Sequence, residues 1–192
     1  IIDCEFRNIR SVFNDPEEDP VVMFIINVND SMSIQNCIFS NFETSPGQTA
    51  FAITDGLNDN APLNVNITGC LFSNMSNDTY PPIVFGNQST ESFKITNNTF
   101  VNLEGWPAAL FLIGHHQLQN NIFYNPLCNY ELSVMTVPIS PVSNIYLDYN
   151  NIRGGSQGII TGPNCFVEYG TTNISDNPDL YSLDGESRFF AQ

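Results

Sequence analysis

The chain has 192 residues, of which 42% are hydrophobic and 13% charged; this is enough for one sizeable core, and because no linker divides it we expect a single domain over residues 1–192. Five basic residues face twenty acidic ones, for a formal charge of −15, which argues against nucleic acid, anionic membranes and polyanionic sugars as partners. No apolar run reaches the roughly 18 residues of a membrane helix and no leader precedes Ile1, so we expect a soluble mature product or fragment without membrane insertion.

The first predicted element is a motif that recurs along the chain. It reads IIDCEFRN at 1–8, IQNCIFSN at 34–41, ITGCLFSN at 67–74, ITNNTFVN at 95–102 and LQNNIFYN at 118–125. Weaker copies are LDYNNIRG at 147–154 and ISDNPDLY at 174–181. At its Cys/Asn position the copies fall at Cys4, Cys37, Cys70, Asn98, Asn121, Asn150 and Asn177. Steps of 23 to 33 residues between these positions are typical of a solenoid.

The second predicted element is an apolar stretch between successive motif copies. The six stretches are short, β-branched or aromatic, and bounded by Pro, Gly, Asn or Asp; they are PVVMFIIN, QTAFAIT, PPIVFG, PAALFLIG, SVMTVPI and QGIIT. No window shows a sustained helical period, so each repeat is predicted to be two or three short strands. Stacking the repeats in parallel predicts an all-β fold, a right-handed parallel β-helix of about seven coils, on the order of 35 Å long.

Equivalent positions of stacked coils form columns of identical side chains. An inward aromatic column is predicted, continued by Ile152, from Phe6, Phe39, Phe72, Phe100 and Phe123. An amide ladder is predicted from Asn98, Asn121 and Asn150, with Asn36, Asn97 and Asn120 just before the same turn.

The five cysteines allow several pairings. Cys4, Cys37 and Cys70 share the ladder column, where a Cys37–Cys70 disulfide and a stack of buried thiols both stay open. Outside the column, a disulfide between Cys128 and Cys165 is predicted. An odd count leaves at least one thiol over, and Cys4 is the candidate for a bond to another molecule.

N-glycosylation sequons are more frequent than chance predicts. They lie at Asn29, Asn66, Asn74, Asn77, Asn87, Asn97 and Asn173. Together with the scarcity of lysine they favour a secreted, extracellular protein that carries N-linked glycans and no cofactor. Asn97 cannot both be buried in the ladder and carry sugar, and we expect it to lose the sugar.

The repeats, and the tail NISDNPDLYSLDGESRFFAQ at 173–192, resemble the right-handed parallel β-helix superfamily that includes the pectin lyases. The Ile-x-Asn-Asn or Cys turn followed by Phe-x-Asn is also similar to repeats of chlamydial-type polymorphic outer-membrane proteins. For the lyases, the resemblance implies a calcium cluster of aspartates and a catalytic Arg or Lys; here Arg153 has only Asp148 close in sequence. For the polygalacturonase-like hydrolases it implies an Asp-Asp pair and an Arg-Ile-Lys, which this chain lacks, so we assign no catalytic residue.

Other chemical candidates have weaker support. Asp55, Asp59 and Glu104 are interpreted as solvated carboxylates, and Ser156 in GGSQG as a turn residue, because a strand and not a helix follows it. His115 and His116 lack partners at zinc-ligand spacing, and the acidic stretch NDPEEDP at 14–20 lacks a calcium pattern, so no metal is expected.

Two functions remain open at this point. The first is a structural, glycosylated β-helix of a cell surface or extracellular fibre that associates with itself head to tail, because the chain starts on a ladder strand at Ile1 with no cap. The second is a polysaccharide lyase, a glycoside hydrolase or a module that binds neutral glycans, with sugar rings stacked on Trp106, Tyr80, Tyr124 and Tyr130.

Overall fold

The computed structural model describes residues 1–9, 24–25, 31–44, 49–54, 64–77, 79–86, 93–136, 142–178, 181–182 and 189–190. Within these ranges the protein is all-β, with one short 3-10 helix at Gly155–Gly158. No helix in them is long and apolar enough to cross a membrane.

The strands are short and follow one another along the whole described chain. In chain order they are β1 (Glu5–Arg7), β2 (Phe24–Ile25), β3 (Met32–Gln35), β4 (Ile38–Glu43), β5 (Phe51–Thr54), β6 (Val65–Thr68), β7 (Leu71–Ser76), β8 (Ile83–Gly86), β9 (Phe93–Thr96), β10 (Thr99–Glu104), β11 (Ala108–Ile113), β12 (His115–Gln119), β13 (Ile122–Tyr124), β14 (Tyr130–Met135), β15 (Ser143–Asp148), β16 (Asn151–Ile152), β17 (Ile159–Thr161), β18 (Cys165–Tyr169), β19 (Tyr181–Ser182) and β20 (Phe189–Phe190).

Three parallel sheets of six strands each contain all of these strands except the last two. The first sheet has the order β1-β4-β7-β10-β13-β16, the second β17-β14-β11-β8-β5-β2 and the third β18-β15-β12-β9-β6-β3. From β1 to β18, strands three places apart along the chain pair with each other, so the chain visits the sheets in rotation. One passage through all three sheets is called a rung below. β19 and β20 form a separate antiparallel pair. These stacked parallel sheets are consistent with a parallel β-helix.

The repeat motif spans one corner of each rung. Its first residues form a strand of the third sheet, the Cys/Asn position lies in the turn, and the residues around the Phe form a strand of the first sheet, as β3 and β4 show on either side of Cys37. The apolar stretches between motifs form the strands of the second sheet, and each of the six overlaps one of them, in order β2, β5, β8, β11, β14 and β17. The motif copies thus supply the strands of the third and first sheets, and the apolar stretches between them supply the strands of the second sheet.

The core lies between the three sheets and is organised by a column of phenylalanine rings. Successive rings stack nearly parallel, with centroids 5.1, 5.0, 4.9 and 4.9 Å apart, in the order Phe6, Phe39, Phe72, Phe100 and Phe123. Ile152 pairs with Phe123 in the next rung and is fully buried. Burial of each aromatic ring contributes about 2 to 3 kcal/mol, so this column is a main source of the free energy of folding.

The last motif copy lies elsewhere than the sequence predicted. Asn173, and not Asn177, follows Asn150 in the turn column, because the backbone N–H of Asn150 donates to Asn173 Oδ1 at 2.8 Å. In addition, Ile174 pairs with Asn151. The prediction that Asn177 of ISDNPDLY occupies the column is therefore wrong by four residues. The column residue must stand directly before the residue that pairs with the first sheet, and Asn173 stands directly before Ile174.

Candidate functional site

The corner between the third and first sheets is lined by one continuous column of side chains. Its members are Cys4, Cys37, Cys70, Asn98, Asn121, Asn150 and Asn173. From Cys37 onward, the backbone N–H of each member donates to the side chain of the next: to Cys70 Sγ at 3.5 Å, then to the four asparagine oxygens at 2.8 to 3.0 Å. The column thus satisfies backbone donors that the turn would otherwise bury without a partner.

The side-chain amides of the asparagines bond in the same direction. Asn98 Nδ2 donates to Asn121 Oδ1 at 3.1 Å and to Ile67 O in the preceding rung at 2.9 Å. Asn121 and Asn150 repeat this pattern, and all three side chains are buried. Each amide therefore uses both donor hydrogens and its oxygen, which makes the ladder specific for asparagine.

The ladder closes at Asn173. Its Nδ2 donates to Leu147 O and to Gly170 O, both at 2.8 Å, and its backbone N–H also donates to Gly170 O, at 3.2 Å. The Gly170–Asn173 turn thus supplies from within the chain the acceptors that a further rung would provide. At this corner the column is capped.

The cysteine end of the same column contains free thiols. Cys37 Sγ donates to Gln35 O at 3.1 Å and Cys4 Sγ to Ile2 O at 3.2 Å, and neither is bridged to Cys70. Burial raises the pKa of the Cys70 thiol to about 11, so it is protonated and unreactive at neutral pH. Of the two states left open for Cys37 and Cys70, the structure contains the stacked thiols.

The predicted disulfide between Cys128 and Cys165 is absent from the structure, and both are free. Cys128 lies in the turn between the first and second sheets, where its Sγ donates to Leu103 O at 3.1 Å. Cys165 begins β18 in the third sheet, with its Sγ donating to Pro163 O. The two lie at different corners and on different rungs, so their side chains do not meet.

Asn36, Asn97 and Asn120 are exposed beside the column and not members of it. All three have left-handed backbone, with φ of 52°, 58° and 54°, which asparagine tolerates better than most residues. The expectation that Asn97 is buried in the ladder is wrong, because Asn98 holds the buried position and Asn97 faces outward. The two adjacent asparagines divide the roles of turn former and ladder member.

A second asparagine ladder lies on the far side of the first sheet, and the sequence interpretation missed it. Asn41 Nδ2 donates to Asn8 Oδ1 at 3.0 Å, Asn74 Nδ2 to Asn41 Oδ1 at 3.0 Å and Asn102 Nδ2 to Asn74 Oδ1 at 3.4 Å. All four residues have φ between 52° and 58°. The signal was present in the final Asn of each Phe-x-Asn, which was noted as part of the motif but given no role.

The sequon asparagines differ sharply in how accessible their amides are. Asn97 is exposed, and Asn66 is half-buried on the outer face of β6. Asn74 Nδ2 is engaged in the second ladder. Asn77 is 3% exposed and donates to Thr44 Oγ1. The side-chain amide of Asn173 donates to Leu147 O and Gly170 O at the end of the first ladder. Asn29 and Asn87 lie outside the described residues.

Arg153, the basic residue that the lyase resemblance makes a catalytic candidate, has partners within the fold. Arg153 Nε donates to Glu131 Oε1 at 2.6 Å, and its Nη2 donates to Cys128 O at 2.6 Å. Glu131 is fully buried and also accepts from the backbone N–H and Nδ2 of Asn125. Four hydrogen bonds, three to the two Glu131 oxygens and one to the Cys128 carbonyl, fasten the turn after β13, so the Arg153 guanidinium is engaged within the fold.

The remaining candidates are spread over the surface. Glu104 is exposed, and Ser156 lies exposed in the 3-10 turn. Asp55, Asp59 and the 14–20 stretch lie outside the described residues, and among those that are described no three His, Cys, Asp or Glu side chains could share a metal ion.

The two histidines of β12 point to opposite sides of the third sheet. His116 faces the core, where its Nε2 bonds Ile113 O at 2.8 Å and its ring packs edge-on against Phe93. Burial lowers the pKa of His116 to about 4, so the ring is neutral at pH 7 and serves as a donor within the core.

Three of the four aromatic residues proposed to stack on sugars lie on one corner. Tyr80 and Trp106 precede β8 and β11, and Tyr130 begins β14, so they lie between the first and second sheets on successive rungs, whereas Tyr124 lies in β13.

Comparison of the chain with protein-family models, with curated proteins and with solved structures gave no match. What the described residues offer chemically is a scaffold of satisfied polar columns with outward-facing polar and aromatic side chains.

Proposed function

We propose that the chain forms a right-handed parallel β-helix of about seven coils, of the pectin-lyase-like kind. The support is the strand order, in which each strand pairs with the third strand along the chain, and the seven members of the column from Cys4 to Asn173. A right-handed crossover is the general rule for parallel strands.

The function that this geometry supports best is structural: a secreted, N-glycosylated β-helix of a cell surface or extracellular fibre. The observation that carries this proposal is the ladder itself, because five consecutive backbone-to-side-chain bonds tie every rung from Cys37 to Asn173 to its neighbour. A stack held in this way is a stiff rod, because each rung of a solenoid contacts mainly the rungs next to it. Stiffness along one axis is what a fibre or coat subunit requires.

Glycosylation is proposed for the sequons whose amide reaches solvent. Asn97 and Asn66 meet that condition, whereas sugar on Asn77 or Asn173 would break the buried contacts described above. Expression in a eukaryotic secretory cell line, followed by glycopeptide mass spectrometry of the secreted protein, tests this directly. Sugar on Asn97 and Asn66 supports the proposal, and sugar on Asn77 or Asn173 in folded protein contradicts it.

Head-to-tail self-association is proposed through the edges of the sheets. β1 and β2 are edge strands on one side, and β17 and β18 on the other. The end strands β3 and β16 are partly covered, because Ile2 pairs with Gln35 and Ile174 with Asn151. Such edges pair readily with further rungs, whether of the same chain or of a second copy. Because Asn173 caps the ladder corner, the contact would be made by the sheet edges and by exposed apolar residues near them, Ile2 on one side and Ile174 on the other.

Sedimentation velocity over a range of concentrations tests this contact. Ile2 is 56% exposed and Ile174 51% exposed, so Ile2→Lys and Ile174→Lys can each place a charge at one end without disturbing the core. Leu127→Lys is the matched control, because Leu127 is 68% exposed on a lateral corner. Growth of large species in the parent and the control, but not in either end variant, supports the proposal; a monomer at every concentration overturns it.

A further inference from the structure

The corner between the first and second sheets carries a stripe of large exposed side chains. Tyr80, Trp106 and Leu127 are 55%, 61% and 68% exposed, and they belong to three successive rungs. Tyr130 begins β14 on the third of these rungs. These four side chains are called the aromatic corner below. Leaving so much apolar surface exposed in one place costs free energy, which is typical of an interaction surface.

The turns that hold the aromatic corner are fixed to one another. Asn77 Oδ1 accepts the backbone N–H of Tyr80 at 3.2 Å and so holds the first turn. A Cβ on Gly105 would lie 2.8 Å from Tyr80 O, so the second turn packs directly against the first. The backbone N–H of Tyr130 donates to Pro107 O at 3.3 Å, which ties the third turn to the second. The surface is therefore preformed, and a ligand loses little free energy in ordering it.

The polar atoms of the aromatic corner can donate hydrogen bonds outward. The indole N–H of Trp106 only donates, and the hydroxyl of Tyr80 can donate as well. A proline-rich segment offers the complement, because a proline has a carbonyl acceptor but no backbone N–H. In the polyproline II conformation these carbonyls have no internal hydrogen bonds. Surfaces of exposed aromatic side chains bind such segments for these reasons.

The length of the aromatic corner fits one turn of a polyproline II helix. Neighbouring rungs lie about 4.8 Å apart, so Tyr80 and Tyr130, two rungs apart, are separated by about 10 Å along the stack. One polyproline II turn has three residues that rise about 3.1 Å each, about 9 Å in all. Prolines at positions i and i+3 would therefore face Tyr80 and Tyr130, with Trp106 between them.

The charge beside the aromatic corner is negative. Glu104 is exposed and lies two residues before Trp106, and Glu43 is exposed two rungs earlier in the same row of the first sheet. The guanidinium of Arg153 on the next rung is paired with Glu131 and does not offset them. Because the chain has a formal charge of −15, a ligand with a basic residue next to its prolines is favoured.

We propose that the aromatic corner binds a proline-rich segment of another protein in polyproline II conformation, with a basic residue beside the prolines. The prolines pack against the rings of Tyr80, Trp106 and Tyr130, and the basic residue lies at Glu104. The aromatic corner is on the side of the stack, away from the sheet edges proposed for self-association, so failure of either proposal leaves the other standing.

The fluorescence of Trp106 reports on this surface directly, because it is the only tryptophan of the chain. The probe is decaproline with one arginine at each end, and the matched control peptide replaces its prolines with alternating glycine and serine. The proline peptide should change the Trp106 emission saturably, and the control peptide should not. Tyr80→Ala should weaken binding about tenfold. Phe166→Ala is the matched control variant, because Phe166 is 62% exposed on the third sheet, and it should leave the affinity unchanged.

Glu104→Gln separates the charge from the shape of the surface. It should weaken binding of the arginine-capped peptide about threefold and reduce its salt dependence. Binding of decaproline without arginine should stay the same in this variant. An unchanged affinity and salt dependence for the arginine-capped peptide would contradict the role given to Glu104.

Four outcomes would overturn the inference as a whole. They are no saturable change of emission with the arginine-capped decaproline up to about 1 mM, an equal response to the glycine-serine peptide, loss of binding in Phe166→Ala but not in Tyr80→Ala, and a response to cellohexaose without a response to the proline peptides. Circular dichroism should be the same for the parent and the three variants, because each replaces an exposed side chain.

Discussion

Asn98 and Asn121, one rung apart, are joined by two hydrogen bonds to a single atom: Asn121 Oδ1 accepts the backbone N–H of Asn98 at 3.0 Å and its Nδ2 at 3.1 Å. Both residues are buried, so neither donor can turn to water if the acceptor is lost. The same two hydrogen bonds join Asn121 to Asn150, and they make the ladder a large contribution to the free energy of folding.

Removing one ladder member should destabilise the protein strongly. Asn121→Ala strands two donors of Asn98 and also the acceptor Ile95 O, so the free energy of unfolding should fall by about 3 kcal/mol. Asn120→Gly is the control, because Asn120 is exposed and glycine adopts its φ of 54° without strain. Urea unfolding measures both; equal effects of the two substitutions would contradict a ladder role.

Extending the ladder should stabilise the protein. Cys70 Sγ already lies 3.7 Å from Ile34 O, the carbonyl that corresponds to the Ile67 O bonded by Asn98. Cys70→Asn would give that carbonyl a true donor and give the N–H of Cys37 an oxygen acceptor in place of sulfur, so unfolding should cost about 1 kcal/mol more. A lower urea midpoint for this variant would show that the cysteine end has a different turn geometry.

The aromatic column should dominate the core. Phe72 stacks between Phe39 and Phe100 and is fully buried, so Phe72→Ala should cost about 4 kcal/mol. Phe166→Ala, at an exposed position, should change stability by less than about 0.5 kcal/mol. The same urea experiment compares them, and a small effect at Phe72 would be incompatible with the stacked column.

Stability should decline in mild acid because of His116. Its pKa is lowered to about 4 from an unfolded value near 6.5, so its contribution is fully present above pH 6.5 and is lost as pH falls towards 4. Between pH 7.5 and 4.5 the parent should lose roughly 2 to 3 kcal/mol more than His116→Gln. An identical pH profile for the parent and for His116→Gln would refute this assignment.

The buried pair of Glu131 and Arg153 should behave as a unit. Arg153→Met leaves a fully buried carboxylate without its cation and should cost about 3 kcal/mol. Adding Glu131→Gln should recover part of that loss, because the neutral amide is cheaper to bury. A double-mutant cycle by urea unfolding measures the coupling, and strict additivity would mean that the ion pair contributes nothing.

Much of this fold could be predicted from the sequence because a solenoid repeats its constraints. Each Phe column position needs the same residue in every rung, so Phe6 to Phe123 are visible as a period, and the apolar stretches between them map onto the second sheet. The contacts that the sequence did not predict depend on the corner of the rung at which each residue lies. Cys128 and Cys165 both stand outside the repeat motif in the sequence but lie at different corners, and Glu131 reaches Arg153 only because successive rungs overlie one another.

Side chains that share the outer face of the third sheet were hidden for the same reason. Tyr146 and Phe166 are about twenty residues apart, and only the register of β15 against β18 brings them to one face. The sequence pointed instead to Tyr80, Trp106 and Tyr130, which lie on one corner between the first and second sheets.

The central claim, a stiff stack of rungs that associates end to end, is tested most directly by electron microscopy of the purified chain at increasing concentration. The account predicts filaments whose subunit repeat is close to the length of the proposed seven coils, on the order of 35 Å, and their loss in Ile174→Lys. Separate short particles at every concentration, identical in the parent and in Ile174→Lys, would contradict it.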